Sequence, residues 1–335
     1  MLTKYAIIGG GSWATALAKI LTDNGQTIGW YMRDETNITA FKTRKHNPHY
    51  VSNIYFDVNK IHFTNCLHTV VNNAEIIVIA IPSAYVIQAL QCLASNSFVG
   101  KKIISAIKGI IPPHHVLLHT YLQQQFGIQL TQYGIVAGPC HAEEVASEKL
   151  SYLTFSSTEK TDAEMYALDF ATPYIKTIVN TDVVGVQYAA VLKNIYAIGA
   201  GIAHGLDYGD NFMSVYIAGA ADEMAGFIRQ VAWLNDNTEK HNYAASVYLG
   251  DLLVTCYSLH SRNRRFGNYL GKGYTVQAAQ LEMNMVAEGY NASKGIITLN
   301  QAIQATIPIV TNIYSVLWQQ IPPQQAFTAI EGYLV

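Results

Sequence analysis

Charge is scarce in this chain. Only 13% of its 335 residues are Asp, Glu, Lys or Arg, and 21 basic against 23 acidic residues leave a formal charge of −2. No positive field exists to hold a phosphate polymer, which argues against general nucleic-acid binding. Cysteine is scarce as well. Cys66, Cys92, Cys140 and Cys256 show no C-x-x-C spacing, so neither a metal site nor a disulfide framework is expected, and reduced thiols fit a cytoplasmic protein. Long unbroken apolar runs are missing too. Val186–Ala203 is interrupted by Gln187, Lys193 and Asn194, and Ile76–Leu90 by Pro82, so no membrane span is expected. No charged and then apolar leader precedes the strand-like residues that begin at Tyr5. Apolar residues themselves are abundant, at 50% of the chain. That excludes a disordered chain and leaves enough material for two domains, each with its own core.

The first half alternates short β-rich runs with helical stretches. Strands are expected at Tyr5–Ile8, Thr27–Met32, Ile76–Ile81, Lys102–Ile107, Gly134–Ala137, Tyr152–Phe155 and Ile175–Val179, with a helix at Trp13–Thr22. Near-continuous apolar strands separated by helices indicate a parallel sheet covered on both faces. After about Asn180 the pattern turns to helix-length segments rich in Ala, Leu, Tyr and Met, with breaks at Gly205–Gly209, Gly267–Gly273 and Pro322–Pro323. The expectation is a doubly wound α/β domain over 1–180 and an all-α domain over 181–335.

Gly9-Gly10-Gly11-Ser12-Trp13-Ala14 joins the first strand to the first helix and matches G-x-G-x-x-G/A. Gly9 permits the tight turn, Gly11 lets backbone amides approach a pyrophosphate, and small Ala14 lets the helix pack close to the sheet. The helix N-terminus adds partial positive charge for the phosphates. This Rossmann-type context points to dinucleotide binding. The second strand runs out at Arg33-Asp34, where an acidic residue suits the ribose of NAD and an arginine suits the 2′-phosphate of NADP. Arg33 is either a solvated charge or a 2′-phosphate reader, and the balance leans to NADP without excluding NAD.

Candidate chemistry is carried by a few polar residues in apolar surroundings. Lys108 lies at the carboxyl end of a strand, the edge where open α/β sheets bind ligands; a plain loop charge is its other reading. Gly138-Pro139-Cys140-His141-Ala142 is either a well-formed helix start or a backbone surface against a nicotinamide, and the sequence does not separate the two. Lys193-Asn194 interrupts an apolar helix. Lys193 either snorkels to water or points into a cleft, where desolvation would pull it into the range for proton transfer. Asp251 and Thr255 are four apart on one helix face, able to hold an amine, although an aspartate in a first turn also simply favours the helix dipole. Ser261-Arg262-Asn263-Arg264-Arg265 is the one dense basic cluster. It suits a phosphate monoester or, more plainly, a solvated helix end.

In order along nearly the whole chain, these pieces resemble the NAD(P)-dependent glycerol-3-phosphate dehydrogenase family. They run from the Gly9–Ala18 fingerprint, Trp30-x-x-Arg33, Asn47-Pro-His-Tyr50 and Ile81-Pro-Ser83 to Lys108-Gly109 and Gly138-Pro139. Leu192-Lys193-Asn194, Gly250-Asp-Leu252, Ser261–Gly267 and Glu288-Gly-Tyr290 follow. The resemblance implies that Gly9, Gly11, Ser12, Trp13, Arg33, Ala142, Arg262 and Glu288 contact the cofactor, and that Lys108 is shared by cofactor and substrate. It implies that Lys193 is the catalytic lysine, supported by Asn194, Asp251, Thr255 and Lys108. Gly138, Cys140, Ser261, Arg262 and Asn263 would join Lys108, Lys193 and Asp251 around a small phosphorylated substrate. The implied reaction interconverts dihydroxyacetone phosphate and sn-glycerol 3-phosphate, suggesting phospholipid supply; a homodimer is left open. Cys140 stands where the family usually has Ser or Thr, and Met213 and Gly219 replace common basic residues. Two other readings stay open: a related Lys-Asn reductase of hydroxy acids (β-hydroxyacid dehydrogenase or ketopantoate reductase type), and a non-catalytic NADP-binding sensor. Phosphate esters against hydroxy acids separates the first, hydride transfer itself the second.

Overall fold

A computed structural model describes residues 2–236, 239–283 and 287–334. Eight strands form one sheet: β1 (Thr3–Ile8), β2 (Ile28–Tyr31), β3 (Ile61–Thr64), β4 (Ala74–Ile79), β5 (Lys102–Ser105), β6 (Tyr133–Ala137), β7 (Ser151–Ser157) and β8 (Ile175–Asn180). Their order is β3-β2-β1-β4-β5-β6-β7-β8. Every neighbouring pair is parallel except β6–β7.

That antiparallel pair corrects the all-parallel expectation: β7 re-enters the sheet from the end at which β6 leaves it, after a connection that holds the short helix Ala142–Ala146. Between β7 and β8 the chain passes through the ten-residue helix Lys160–Asp169, and that pair is parallel. β3 was not among the expected strands. It is a four-residue strand at the sheet edge with one buried residue, too short and mixed to show a period.

The sheet core is apolar and aromatic. Trp30 is fully buried among Phe41, Phe56 and Phe63, with ring centroids 5.3–5.9 Å apart. Two compact units divide the chain: Met1–Ile107 with Leu118–Val183, and Lys108–Leu117 with Val184–Val335. The sheet belongs to the first unit, which is discontinuous in sequence. The contiguous 1–180 and 181–335 division thus differs from the observed packing in Lys108–Leu117, whose Ile110 lies against Gly295 of the second unit.

Among its described residues the second unit is helical, with one isolated bridge between Ile111 and Val116. Its axis is the helix Val183–Gly205, long and apolar enough to cross a membrane, yet 94% of its apolar window is buried inside the protein. The helix Arg262–Gly271 packs on it backbone to backbone. A Cβ on Gly201 would sit 1.9 Å from the Arg264 carbonyl oxygen, and one on Gly267 equally close to that of Ile198. Gly267 therefore lies inside a helix rather than at the break expected there, because it is a contact surface and not a stop.

Candidate active site

In the first unit the glycine turn is built to receive an anion. Gly9 has φ +134°, and a Cβ there would meet the Ala80 carbonyl oxygen at 2.3 Å, so the turn requires glycine. A Cβ on Gly11 would meet nothing within 4 Å, which leaves an open cradle at the start of the helix Ser12–Asp23. Among the described residues no side-chain cap hydrogen bond is made at Gly11, the N-cap of that helix, and a helix N-terminus favours an anion.

Residues to which the sequence reading gave no role hold this turn in place. Trp30 Nε1 donates to Gly9 O at 2.6 Å. Asn47, 1% exposed, donates to Gly10 O at 3.0 Å and to Thr15 Oγ1 at 2.8 Å, while its carbonyl accepts from His49 and Tyr50. An asparagine just before Pro48 was the available signal, but only the fold shows what it clamps. Ser12 is buried and Trp13 half-buried in the first turn. Arg33 is exposed just past β2. Asp34 is occupied in capping the helix Glu35–Arg44, accepting from the Thr36 N–H at 2.8 Å and its hydroxyl at 2.7 Å, and these bonds hold its carboxyl below the usual range. Gly138, at φ +129°, Cys140 and Ala142 sit after β6. The Cys140 thiol donates to Tyr152 O at 3.2 Å.

The second unit gathers the remaining candidates. Lys193, 3% exposed, forms an ion pair with Asp251, 1% exposed. The lysine therefore does not snorkel. Burial pulls its ammonium down to about 7; Asp251 pushes the other way, and the neighbouring Lys108 charge adds to the fall. Asp251 opens the helix Asp251–Tyr257 directly after a wide π-type turn at Ser246–Gly250. One carboxylate oxygen, Oδ2, is buried with no hydrogen-bond partner among the described residues. An unsatisfied buried oxygen beside an amine is costly unless a ligand hydroxyl meets it. Thr255 is buried on the same face, its hydroxyl donating to the Asp251 carbonyl.

The asparagines point elsewhere. Asn194 donates to the Lys108 carbonyl at 2.8 Å and accepts from Asn263 Nδ2 at 2.9 Å, and Asn263 Oδ1 accepts from the Gly289 N–H at 2.9 Å. Ser261 is the N-cap of the helix Arg262–Gly271, its hydroxyl oxygen accepting from the Arg264 N–H at 3.3 Å. Arg262 is half-buried in the first turn of that helix, and Glu288 half-buried at the start of Glu288–Ile303. Lys108, Lys193, Asn194, Asp251, Thr255, Ser261, Arg262, Asn263 and Glu288 therefore belong to one unit, and the glycine turn, Arg33, Gly138, Cys140 and Ala142 to the other.

A dinucleotide-type turn in one unit and a buried lysine–carboxylate pair in the other define a two-domain NAD(P)-dependent oxidoreductase. Residues 4–163 match the model of the NAD-dependent glycerol-3-phosphate dehydrogenase N-terminus, and residues 182–328 that of its C-terminus. The chain belongs to this family. It is 32% identical to "Glycerol-3-phosphate dehydrogenase [NAD(P)+]" of Chlorobium phaeobacteroides over 96% of both chains. It is 33% identical to the protein of the same name from Enterococcus faecalis, covering 97% of this chain and 94% of the other. The crystal structure of glycerol-3-phosphate dehydrogenase from Coxiella burnetii superimposes with a TM-score of 0.86 at 26% identity, over 98% of each chain.

Proposed function

We propose that this protein interconverts dihydroxyacetone phosphate and sn-glycerol 3-phosphate with NADP ahead of NAD, supplying glycerol 3-phosphate for phospholipid synthesis. The observation that carries the reading is the buried Lys193–Asp251 pair, with its amine drawn to about 7 and one carboxylate oxygen left open. The turn at Gly9–Gly11 and the start of the helix Ser12–Asp23 would hold a nicotinamide dinucleotide, which in its reduced form would supply hydride for a carbonyl carbon. Lys193, as ammonium, gives its proton to the C2 oxygen as charge develops there; in the oxidising direction its neutral amine takes the hydroxyl proton. Asp251 retains the amine, and its open oxygen suits a substrate hydroxyl. Lys108 adds positive potential beside Lys193. Arg262 is assigned to the substrate phosphate, whose binding energy orients C2. On the cofactor side, capping by Asp34 and exposure of Arg33 favour a 2′-phosphate over a bare ribose.

The test is NADPH and NADH oxidation with dihydroxyacetone phosphate, for the wild type and Arg33→Asp. Turnover is expected with both cofactors, NADPH having the higher kcat/KM. Arg33→Asp should cost roughly 10–100-fold with NADPH, the worth of a charged hydrogen bond to phosphate, and little with NADH. Absence of turnover refutes the reaction; equal losses with the two cofactors refute the NADP preference alone.

A further inference from the structure

We infer that Asn47 is a positioning residue for the cofactor: with Trp30 and Thr15 it holds the carbonyls of Gly9, Gly10 and Gly11, and so aims the amides of that turn at the dinucleotide pyrophosphate. The inference rests on the cofactor reading above and adds to it the side chains that shape the turn.

Each carbonyl of the glycine run is taken by a different side chain. Trp30 Nε1 donates to Gly9 O at 2.6 Å, Asn47 Nδ2 to Gly10 O at 3.0 Å, and the Thr15 hydroxyl to Gly11 O at 2.9 Å. Trp30, Asn47 and Thr15 are each at most 1% exposed, so water is a poor substitute for a lost link. In a planar trans peptide the C=O of one residue and the N–H of the next point in opposite directions. Holding the three carbonyls towards the interior therefore turns the N–H groups of Gly10, Gly11 and Ser12 away from it. Successive amides turned outward in this way make an anion-binding concavity, and pyrophosphate is the anion a dinucleotide brings to such a turn. Glycine makes the clamp necessary. A run without Cβ atoms has the most conformational freedom of any, and its own backbone does not select one orientation.

Asn47 is the centre of the clamp because its amide is used at every position. Nδ2 donates to Gly10 O and, at 2.8 Å, to Thr15 Oγ1, while Oδ1 accepts from the N–H groups of His49 and Tyr50 at 3.0 and 3.2 Å. A backbone N–H can only donate and a backbone carbonyl can only accept, so turning this amide over would set like against like at both ends. Thr15 extends the run, its oxygen accepting from Asn47 and its hydrogen going to Gly11 O. One chain of hydrogen bonds thus leads from the amides of His49 and Tyr50 to the last carbonyl of the glycine run.

At Thr15 volume and hydrogen bonding can be separated, and that gives the test. Dissociation constants of NADPH, NADH and ADP would be measured by titration calorimetry for the wild type, Thr15→Val, Thr15→Ser and Asn47→Asp, each first shown to melt cooperatively. ADP carries a pyrophosphate without nicotinamide or 2′-phosphate. Thr15→Val keeps the volume and removes the hydroxyl, and Thr15→Ser does the reverse. Thr15→Val should weaken all three ligands by roughly 5–20-fold and Thr15→Ser by less than about threefold, the difference a buried hydrogen bond makes. Asn47→Asp keeps the acceptor for His49 and Tyr50 but sets oxygen against Gly10 O, and should weaken all three by roughly 10–100-fold. A loss in Thr15→Ser as large as in Thr15→Val would mean packing alone. Losses confined to some of the three ligands would place the effect away from the pyrophosphate. Either result overturns the inference, as would unchanged affinities in Thr15→Val and Asn47→Asp. Should Asn47→Asp fail to melt cooperatively, the two Thr15 variants decide. A wild type that binds none of the three ligands refutes the dinucleotide reading itself, and so the two failures are told apart.

Discussion

At the scale of single residues the proposed chemistry depends on one amine, that of Lys193, whose proton affinity is drawn towards neutrality. Three influences set it: burial and Lys108 lower its proton affinity, and Asp251 raises it. Their signs make a prediction. Carbonyl reduction needs the ammonium, so reductive kcat/KM should be level below about 7 and fall above it, with the oxidative profile the mirror image. Lys108→Met removes a repelling charge and should move the break to higher pH; Asp251→Asn removes the attracting one and should move it lower. Profiles of kcat/KM across neutral pH check both, and shifts in one common direction would contradict the assignment. Much at this scale was legible in the sequence. A lone lysine in an apolar helix and an aspartate–threonine pair four apart already suggested a held amine. The partners of Asn194 and Asn263 were not, because an amide's hydrogen bonds follow from which helices meet, and Gly289 and Lys108 are distant in sequence. Nor did Asp34 disclose that its Oδ1 caps the helix Glu35–Arg44.

At the scale of elements, helix contacts decide where those residues stand. The Gly201–Gly267 seam lets two backbones touch, which sets Asn263 opposite Asn194. In a single sequence such a glycine reads as a break, since nothing local tells a stop from a contact. Strand positions were largely legible because buried β-branched runs are strong signals. The edge strand β3 was not, nor was the reversed direction of β7, because an apolar run carries no local mark of its orientation in the sheet. A further contact lay beyond local reading. Glu223, 8% exposed, accepts from the Tyr196 hydroxyl at 3.1 Å and from the backbone N–H groups of Ile309 and Val310 at 2.7 and 3.0 Å, so it caps the helix Pro308–Trp318 and braces it against the Lys193 helix. Burial lifts its carboxyl from 4.5 to about 7, the hydrogen bonds opposing. A folded-state value above the unfolded one means stabilisation that is complete below 4.5 and lost as pH rises to about 7. Glu223→Gln should flatten this slope, gaining on the wild type by about 1–3 kcal/mol over that interval. Glu223→Ala loses the cap and should cost about 1–3 kcal/mol. Urea unfolding at several pH values checks both, and parallel curves for wild type and Glu223→Gln would sink the proton linkage.

At the scale of the whole molecule the division of labour follows the division of the chain. Alternating strands and helices announced a dinucleotide unit, and the change of texture near residue 180 announced a helical one. The transfer of Lys108–Leu117 to the helical unit was hidden, because continuity of sequence suggests continuity of domain, and only side-chain packing such as that of Ile110 on Gly295 decides otherwise. The proposed cofactor turn lies in one unit and the proposed proton-transfer pair in the other, so the two functions should separate under mutation. Lys193→Ala removes the amine without touching the turn at Gly9–Gly11 or Arg33. It should lower turnover by about 10²–10⁴-fold, the usual worth of a placed acid–base group, while NADPH affinity stays within about twofold. It leaves Asp251 buried and unpaired, which costs stability, so binding is to be measured on protein first shown to melt cooperatively. NADPH should still raise the melting temperature of this variant with the wild-type dependence on concentration, because a ligand stabilises through the sites it occupies. Arg33→Asp is the converse case, with weakened NADPH stabilisation but an unchanged pH break in NADH-driven reduction. If Lys193→Ala abolished NADPH stabilisation, cofactor binding would depend on the buried amine and the division would fail. If it retained near-normal turnover, Lys193 would have no part in the proton transfer.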